Sequence, residues 1–589
     1  MIAVLDFGGQ YAHLIADRIR RLRVYAEILP SDTSPRRLQD VEGIVLSGGP
    51  ASVYDPGAPP FDEEVLELGV PVLGICYGHQ LMAYVLGGEV RPGGTREYGV
   101  ARLQVLEEDE VLRGLGPSET VWMSHGDQVV RVPPGFRVLA RTPDCPVAAM
   151  GDPERKLYGL QFHPEVTHTP KGMRVLDNFL EVCGARRTWD MERFLEGIEE
   201  EIRRKVGGRK VFLLVSGGVD STVSFVLLTK VLGKDRVYGL FVDNGFLRKG
   251  EREQVERTLG TFGRVHTVDA SEDFLRAVEG VVDPEEKRRR IGETFVRVMR
   301  READALGLNP EEWVLGQGTI YPDTIESGGT RNSAVIKTHH NRVEAIKRLL
   351  EEGRVVEPLS QLYKDEVRRV GERLGLPEDV VWRHPFPGPG LAVRVLCSDG
   401  KGFPFPEELS EGVEKVADKF GLEAEVLPIR SVGVQGDFRT YAHPVLISGE
   451  ADWGTLEEVS TSITNSVEGV NRVVWELTPL KARRPMRATL TRERLDLLRE
   501  ADFRAHEVLR GWGLEREVWQ MPVVLVPLGD GGETVVLRPV CSQEAMTAQF
   551  AKLPLEAVRE MAEAVLSVPG VGAVLYDVTH KPPGTIEWE

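Results

Sequence analysis

The sequence predicts two α/β domains, each built on a parallel sheet, followed by a C-terminal α+β region that contains two similar units. Three observations predict this fold class. Up to residue 383, short apolar segments alternate with helical patterns, as they do in parallel α/β sheets. Glycine-rich loops follow several of these segments, at the strand ends where α/β folds bind ligands. Nearer the C-terminus, one helix–turn–strand pattern occurs twice.

The first predicted domain covers residues 1–185, and its strand-like segments are IAVLDF, GIVLSGG, VPVLGIC and LYGLQFH. Residues 186–209 are rich in Arg and Glu, which predicts a charged helical connector. The second domain is predicted over residues 210–383, with the strands VFLLVS, RVYGLFVD, RVHTVD and WVLGQG. The stretch RHPFPGPG closes it, because so many prolines and glycines prevent regular structure.

The C-terminal region, residues 384–589, contains two similar subdomains. The segments LEEVSTSITNSVEGVNRVVWELTP (Leu456–Pro479) and LEAVREMAEAVLSVPGVGAVLYDVTH (Leu555–His580) share a helix, a Gly-Val turn and a closing strand. Chance similarity between two ordinary helix-to-strand units is the alternative. We interpret the pattern as an internal duplication of a small α+β unit.

Composition and charge narrow the class of protein. A chain of 589 residues is too long for a single core, and a net charge of −18 argues against nucleic-acid binding, which needs a basic face. The five cysteines are few, scattered and odd in number, so we expect no disulfide framework and a reducing compartment. Neither a leader pattern nor an apolar run of membrane-spanning length occurs. We therefore expect a soluble cytoplasmic protein with neither nucleic-acid nor membrane partners.

Cys76 is the first candidate catalytic residue. It lies in VPVLGICYGHQL, directly after an apolar strand and before a helical run. Gly74 and Gly78 flank it as in a nucleophile elbow, with cysteine in place of serine. Such a turn exposes the side chain, and the helix N-terminus behind it favours the thiolate. The alternative is that Cys76 is a small buried hydrophobic residue, as single cysteines often are.

A thiolate nucleophile needs a base and a third group that orients the base. His163 and Glu165, in GLQFHPEV, follow a predicted strand over residues 157–162 and are our candidates for these roles. Gly49, in the turn VLSGGP, and Tyr77 are candidates for the oxyanion hole through their backbone N–H groups. Three other histidines remain alternatives for the base: His13, His79 and His125.

These motifs resemble a class I glutamine amidotransferase domain. The segments DFGGQY, SGGP, GICYGHQ, MSHGD and FHPE occur in the order and spacing of that family. The resemblance implies that Cys76 attacks the side-chain amide of glutamine, releases ammonia and leaves a glutamyl thioester that water hydrolyses. It also implies that glutamine is bound by Gln80 and by the segment Met123–Asp127, which includes His125 and Asp127.

The loop SGGVDST, between the apolar runs VFLLV and VSFVLL, is the second candidate site. Gly217 and Gly218 let the main chain approach a ligand closely, and the hydroxyls of Ser216 and Ser221 add donors. The lysine of the common phosphate loop GxxxxGK[ST] is missing. The charge of a departing group must then be met by Mg²⁺, for which Asp220 is a candidate ligand, and by a basic residue from elsewhere. A strand-to-helix turn without a ligand is the alternative.

This loop resembles the pyrophosphate loop of ATP pyrophosphatases. The resemblance implies that the loop holds the β and γ phosphates of ATP as the unit that leaves, so that a substrate oxygen attacks the α phosphate. Lys364, in LYKDEVRRVGERL, is a candidate to meet the phosphate charge, and a solvated helix lysine is the alternative. Asp243 ends the strand GLFVD at the carboxyl edge of the sheet, where it suits contact with the nucleotide. The full set of ATP-binding candidates is Ser216, Gly217, Gly218, Val219, Asp220, Ser221, Thr222, Asp243 and Lys364.

From this loop to its C-terminus the chain resembles the GMP synthetase family. The matching segments are FVDNGFLRKGE, GQGTIYPDTIES, IKTHHN, LYKDEVR, RHPFPGPGLAVRV, SVGVQGDFRTY, WQMPV and KPPGTIEWE. The resemblance implies that glutamine, ATP and xanthosine monophosphate (XMP) are substrates and that Mg²⁺ is the cofactor. O2 of XMP attacks ATP, and ammonia then displaces AMP at C2 to give GMP. The implied XMP-binding residues are Arg394, Asp437, Gln520, Lys581, Ile586 and Glu587.

The C-terminal duplication departs from the pattern of many members of this family. Those members carry one copy of the small unit and dimerise through it, whereas this chain carries two. If the two copies pair within one chain, they replace the partner subunit. We therefore expect a monomer or a weak homodimer.

Three other functions stay open at this point. A glutamine-dependent synthetase that makes NAD or asparagine through an adenylate shares the chemistry but should lack RHPFPGPG and KPPGTIEWE. An inactive binding or scaffold protein is disfavoured by the intact Cys76, His163, Glu165 and SGGVDS. A tRNA-modifying pyrophosphatase is disfavoured by the acidic charge.

Overall fold

The structure is a computed structural model and describes residues 1–9, 11–321, 344–435, 438–542 and 548–589. The chain forms two compact units, Met1–Ile198 and Glu199–Glu589. The finer predicted division, with boundaries after residues 185, 209 and 383, stays a prediction. No helix among the described residues is both long and apolar enough to cross a membrane.

A nine-stranded sheet forms the centre of the first unit. Its strands are β1 (Ile2–Asp6), β2 (Ala26–Pro30), β3 (Gly43–Leu46), β4 (Val72–Ile75), β5 (Glu89–Val105), β6 (Ser118–Arg131), β7 (Arg137–Arg141), β8 (Ala149–Asp152) and β9 (Leu157–Leu160). The order is β2-β1-β3-β4-β9-β8-β7-β5-β6. The strands from β2 to β9 in this order pair in parallel, whereas β8, β7, β5 and β6 extend the sheet with antiparallel pairs. The parallel part confirms the predicted α/β class.

The helices of this unit cover the parallel strands. They are α1 (Ala12–Arg21), α2 (Pro35–Leu38), α3 (Tyr77–Val85), α4 (Gly172–Val182) and α5 (Met191–Val206), with a 3-10 helix at Glu63–Glu67. Strands β3, β4 and β9 are buried at every residue. Parallel strands are covered on both faces, which is why their sequences are apolar throughout rather than alternating. The α5 helix extends across the boundary between the two units.

The second unit begins with a five-stranded parallel sheet. Its strands are β10 (Lys210–Leu214), β11 (Val237–Asp243), β12 (Arg264–Asp269), β13 (Trp313–Gly316) and β14 (Val355–Val356), in the order β12-β11-β10-β13-β14. Its helices are α6 (Val219–Leu232), α7 (Glu251–Phe262), α8 (Ser271–Val278), α9 (Pro284–Leu306), α10 (Glu344–Glu351), α11 (Lys364–Arg373) and α12 (Glu378–Val381). The chain changes direction across the sheet at β10. A crevice at such a switch point is the usual ligand site of an open α/β sheet.

The C-terminal part of this unit is α+β, as predicted. Residues 383–389 form neither helix nor strand. The strands are β15 (Ser398–Asp399), β16 (Glu423–Val426), β17 (Ser431–Gln435), β18 (Phe438–Ser448), β19 (Val470–Glu476), β20 (Arg487–Ala488), β21 (Val523–Val526), β22 (Glu533–Leu537), β23 (Val540–Cys541), β24 (Gln549–Phe550) and β25 (Val571–Asp577). The helices are α13 (Glu407–Ala417), α14 (Trp453–Ser466), α15 (Arg492–Gly511) and α16 (Leu555–Leu566), with 3-10 helices at Gly390–Arg394 and Asp418–Phe420.

The large C-terminal sheet has two similar halves, and their origin by duplication stays a prediction. Its order is β16-β18-β19-β25-β22-β21, with β17 paired to β18. Each half contains two parallel strands joined by a helix: β18, α14 and β19 in the first copy, and β22, α16 and β25 in the second. The two copies meet where β19 and β25 pair antiparallel. The outer strands β16 and β21 run antiparallel to their neighbours, so the two halves share one plan.

The tail after β25 belongs to the second copy but packs against the first. The N–H of Val432 donates to the carbonyl of Trp588 (2.9 Å), and that of Val434 donates to the carbonyl of Pro583 (2.7 Å). The tail is therefore attached to β17 by main-chain hydrogen bonds.

Two fully buried arginines share one carboxylate beneath the tail. Asp577 accepts hydrogen bonds from Arg472 (2.9 Å) and from the indole N–H of Trp588 (3.0 Å), and it lies 2.8 Å from the guanidinium of Arg538. Arg472 also donates to the carbonyls of Thr585 and Glu587. Removing one partner from such a buried cluster leaves a charge uncompensated and destabilises the fold. Because the tail contributes partners to this cluster, the cluster holds the tail in place.

Candidate functional site

Cys76 lies at the sharp turn between β4 and α3. Its φ of 54° and ψ of −104° fall in a region that non-glycine residues rarely adopt. The flanking glycines permit the turn: a Cβ on Gly74 would lie 2.5 Å from the carbonyl oxygen of Gly78, and one on Gly78 would lie 2.3 Å from that of Leu46. The backbone conformation is that of the nucleophile elbow expected from the glycine pattern.

His163 is positioned between Glu165 and Cys76. Its Nδ1 lies 2.6 Å from Oε1 of Glu165, and both side chains are buried. Nε2 is buried and has no hydrogen-bond partner among the described residues. A Cβ on Gly48 would lie 3.3 Å from Cε1 of His163 and 3.6 Å from Cβ of Cys76. The imidazole and the thiol therefore border the same glycine, which the sequence analysis did not single out.

The charges around His163 favour its protonated form. Burial by itself lowers the pKa of His163, but the charges of Glu165 and Cys76 raise it to about 10. An imidazolium beside a cysteine favours the thiolate, which is the nucleophilic form. The pair is thus suited to nucleophilic attack followed by proton donation to a leaving group.

In the described part of the chain, the three histidines that were alternatives for the base do not lie between a carboxylate and Cys76 as His163 does. His79 is fully buried with Nε2 at 3.1 Å from the carbonyl of Val147, and burial lowers its pKa to about 3. Burial also lowers the pKa of His13. Nδ1 of His125 lies 2.9 Å from the carbonyl of Asp127. We therefore retain His163 as the proposed base.

We expect the stability of the first unit to fall as the pH rises from about 6.5 towards 10. The pKa of His163 is raised from its ordinary value of 6.5 to about 10 in the folded protein. The protonated imidazole therefore stabilises the fold fully below pH 6.5, and this stabilisation is lost as the pH rises through about 10. A Glu165→Gln variant should show a smaller decrease. The decrease in stability is measured by hydrogen exchange of peptides that contain β9, with the exchange rates corrected for the intrinsic effect of pH. Glu181→Gln, in an exposed pair with Arg113, is the control, and an identical pH dependence in wild type and Glu165→Gln would contradict the assignment.

The three predicted glutamine-binding residues lie together. Gln80 Nε2 donates to the carbonyl of Asp127 (2.7 Å), to which Nδ1 of His125 also lies close. The Asp127 carboxylate accepts hydrogen bonds from the Ser52 hydroxyl and, at 3.0 Å, from the phenol of Tyr54. Sequence reasoning missed Ser52 and Tyr54. Their position directly after the SGGP turn is the signal that was available.

This cluster borders the nucleophile. The Cys76 thiol donates to the carbonyl of Ser124 (3.5 Å), and Nε2 of Gln161 lies 3.7 Å from its sulfur. Gln161 also accepts from Gln80 (3.2 Å) and so joins the thiol to the predicted glutamine pocket.

The two predicted oxyanion donors lie on adjoining backbone segments. A Cβ on Gly49 would lie 3.3 Å from Cγ of Tyr77, and the N–H of Gly78 donates to the carbonyl of Ser47 (3.1 Å). The loop after β3 and the start of α3 are thus held side by side, next to the thiol. Backbone N–H groups so placed can stabilise an oxyanion.

The SGGVDST loop joins β10 to α6 at the switch point of the second sheet. Gly217 has φ of +79°, which favours glycine. The N–H of Ser216 donates to the hydroxyl of Ser221 (3.1 Å), and that of Gly218 donates to the hydroxyl of Ser216 (3.3 Å). Arg383, which sequence reasoning missed, donates to the carbonyl of Gly217 (3.2 Å). In the first turn of α6, the residues Val219 and Thr222 are buried.

Asp220 and Lys364 form an ion pair at the same loop. Nζ of Lys364 lies 2.6 Å from Oδ2 of Asp220, whereas Oδ1 is buried without a hydrogen-bond partner in the described part of the chain. Within that part, no group of three or more His, Cys, Asp or Glu could hold a metal by itself. Mg²⁺ commonly takes one or two carboxylates together with substrate phosphates. The unpartnered oxygen of Asp220 fits such a site.

Asp243 ends β11, the strand beside β10. Its carboxylate accepts hydrogen bonds from the N–H of Gly245 (2.9 Å) and from Arg252 (3.2 Å). The predicted position at the carboxyl edge is therefore present, and Arg252 is a neighbour that sequence reasoning missed.

Two of the predicted XMP-binding residues contact a third, Glu587. Arg394 is fully buried and donates twice to the carboxylate of Glu587, at 2.9 and 2.8 Å. Gln520 donates to the same carboxylate (3.2 Å). Lys581 and Ile586 lie on the same C-terminal tail, and Asp437 lies outside the described residues.

The N-terminal unit combines an α/β fold with a candidate site of cysteine, histidine and glutamate side chains. Comparison with known proteins shows the family to which the chain belongs. A family model for glutamine amidotransferase class-I matches residues 3–183, and a model for the GMP synthase C terminal domain matches residues 410–483 and 507–588. A relative from Leptospira interrogans, "Probable GMP synthase [glutamine-hydrolyzing]", is 48% identical over 100% of this chain and 99% of its own length. One from Symbiobacterium thermophilum, "GMP synthase [glutamine-hydrolyzing]", is 44% identical over the same shares. The chain belongs to the glutamine-hydrolysing GMP synthase family.

A relative of the same name from Aquifex aeolicus is 46% identical over 97% of its own length but only 81% of this chain. The present chain thus contains a part that this relative does not match. The two segments matched by the C-terminal family model each include one of the two helix–strand units.

Proposed function

We propose that the protein converts XMP to GMP with glutamine as the nitrogen donor, ATP being cleaved to AMP and pyrophosphate. It is then a carbon–nitrogen ligase of purine biosynthesis. One observation carries the proposal: a single chain holds a cysteine nucleophile on an elbow, with its buried His163–Glu165 pair, and a lysine-free glycine loop at the switch point of a second sheet. The first can release ammonia, and the second can bind the phosphates whose departure activates the acceptor.

Ammonia release uses the residues around Cys76. The thiolate attacks the side-chain carbonyl carbon of glutamine, and the developing oxyanion faces the N–H groups of Gly49 and Tyr77. His163 gives its proton to the departing nitrogen, which leaves as ammonia. It then takes a proton from the water that hydrolyses the thioester, giving glutamate and the free thiol. Glu165 holds the imidazole in orientation throughout.

Activation of XMP takes place at the SGGVDST loop. The loop holds the β and γ phosphates, O2 of XMP attacks the α phosphate, and pyrophosphate leaves. Lys364 moves from Asp220 to the phosphates as charge develops on the departing group. When bound at Asp220, Mg²⁺ supplies further neutralisation of that charge. Ammonia then attacks C2, AMP departs, and loss of a proton gives GMP.

An assay of purified protein tests this function. XMP, ATP and Mg²⁺ are supplied with either glutamine or ammonium, and GMP, AMP and pyrophosphate are quantified. We expect all three products in equal amounts with either nitrogen donor. Consumption of ATP and glutamine without GMP, or with another acceptor such as aspartate or deamido-NAD, would contradict the proposal.

We also propose that the chain works as a monomer in the cytoplasm. The antiparallel pairing of β19 with β25 joins the two copies within one chain and so occupies an edge on each copy that could pair with a partner subunit. All five cysteines are free, as suits a reducing compartment.

Sedimentation at nanomolar protein concentration tests the oligomeric state. We expect a single species at the chain mass of 65.5 kDa, because the central strand edges are already paired. Adding XMP and ATP serves as the control for association induced by substrate. A species of twice the chain mass that persists on dilution would show that the internal pairing does not replace a partner.

A further inference from the structure

Gly217 is buried in the SGGVDST loop, whereas its neighbours Ser216 and Gly218 are exposed. A Cβ on Gly217 would lie 2.9 Å from Cγ2 of Val255 on α7 and 3.7 Å from Nη1 of Arg383, which follows α12. The loop is therefore packed closely against two parts of the chain that lie outside its own strand and helix. These two parts are in a position to determine how the loop presents its backbone.

The guanidinium group of Arg383 joins Gly217 to α7. Nη1 donates to the carbonyl of Gly217 (3.2 Å), and Nη2 donates to the carboxylate of Glu251, the first residue of α7. Only 14% of the Arg383 side chain and 3% of the Glu251 side chain are exposed. Glu251 also accepts from the N–H of Arg248 (2.8 Å), so its carboxylate is held by the main chain. Because a guanidinium group is planar and its donors have fixed directions, it can orient two acceptors at once.

The contact with Arg383 determines the direction of the next N–H group. In a trans peptide the carbonyl oxygen and the following N–H point in opposite directions. The carbonyl of Gly217 faces the guanidinium group, so the N–H of Gly218 faces the exposed side of the loop, where it donates to the hydroxyl of Ser216 (3.3 Å). That hydrogen bond is long, and a phosphate oxygen can take the place of the hydroxyl. A reversed peptide would present a carbonyl oxygen instead, which cannot donate to a phosphate.

We propose that Arg383 and Glu251 are positioning residues of the phosphate-binding loop. Arg383 holds the Gly217 carbonyl inward, so that the N–H of Gly218 donates to the β or γ phosphate of ATP, and Glu251 acts by orienting Arg383. This inference rests on the proposed function and deepens it, because it explains how the same loop is held ready for phosphate. The alternative is an ion pair that only joins α7 to the segment after α12.

Calorimetric titration of the full-length protein with magnesium pyrophosphate tests the inference. In Arg383→Met we expect the Kd for magnesium pyrophosphate to rise about ten-fold or more, because an N–H that donates to a charged oxygen is no longer held towards it. The Kd for AMP should change much less, because AMP lacks the β and γ phosphates. Arg369→Met is the matched control, because Arg369 is an exposed arginine on α11 that pairs with Asp365. It should bind pyrophosphate as the wild type does.

Combining Arg383→Met with Glu251→Gln separates positioning from loss of stability. Arg383→Met leaves the buried carboxylate of Glu251 without its counter-charge, which destabilises the fold, and the double variant removes that charge. Because Glu251 acts through Arg383, the Kd for pyrophosphate in the double variant should equal that of Arg383→Met and not rise further. A wild-type Kd for pyrophosphate in either folded variant, or an equal rise in the Kd values for pyrophosphate and AMP, would overturn the inference.

GMP formation by the wild type separates this inference from the proposed function. Pyrophosphate binding without GMP synthesis contradicts the function, and the variants still test the positioning role. Normal GMP synthesis by the wild type, together with unaffected pyrophosphate binding in the variants, contradicts only the positioning role. Absence of pyrophosphate binding by the wild type would contradict the phosphate-binding role of the loop and, with it, the role of Arg383.

Discussion

Replacing Cys76 by alanine is expected to abolish GMP synthesis from glutamine while leaving synthesis from added ammonium intact. The thiolate of Cys76 is the proposed nucleophile that attacks glutamine, and loss of a catalytic nucleophile lowers turnover by more than about 10⁴-fold. Ammonium bypasses that step, because the proposed phosphate-binding loop and the proposed XMP-binding residues lie in the second unit. The measurement is the rate of GMP formation with each nitrogen donor at saturating XMP and ATP.

Cys183→Ala is the matched control for this substitution. Cys183 lies in the same unit at the end of α4, and burial raises its pKa, so it is not poised as a nucleophile. The control should retain both activities. If Cys76→Ala lost synthesis from ammonium as well, the division of labour between the two units would be wrong.

Replacing Lys364 by methionine is expected to lower GMP synthesis about 100-fold or more with either nitrogen donor. Lys364 is a cation at the glycine loop, with Nζ 2.6 Å from Oδ2 of Asp220. Without it, the charge that develops on the departing pyrophosphate loses a counter-charge. Single-turnover formation of AMP from ATP and XMP measures the affected step directly.

Lys230→Met is the control for the Lys364 variant. Lys230 is an exposed lysine near the end of α6, the helix that begins at the same loop. Its replacement should leave the rate of AMP formation unchanged. Normal AMP formation in Lys364→Met would mean that Lys364 is only a solvated helix lysine.

Local sequence patterns predicted the parts of the fold that local physics determines. Fully apolar segments such as β3 and β4 predict buried parallel strands, because both of their faces are covered. The glycines around Cys76 predict its turn, because a Cβ at either flanking position would meet a carbonyl oxygen. The antiparallel extension through β5 and β6 was not predicted, since strand formation depends on packing against cross-strand and same-face neighbours more than on local preference.

The same distinction applies to the candidate site. Motifs pointed to the residues that we propose carry the chemistry, such as Cys76 and Asp220, because each lies in a short pattern at a strand end. They could not identify Arg383 as a partner of the glycine loop, because its contact with Gly217 joins residues far apart in the chain. Such supporting contacts depend on tertiary packing. No short pattern records them.

The fate of the ATP phosphates tests the proposed reaction most directly. In that reaction the SGGVDST loop holds the β and γ phosphates as one leaving unit. ATP labelled separately at the α and γ phosphates, turned over with XMP and ammonium, should give labelled AMP and labelled pyrophosphate in a one-to-one ratio with GMP. Formation of ADP and orthophosphate instead would contradict the proposed reaction.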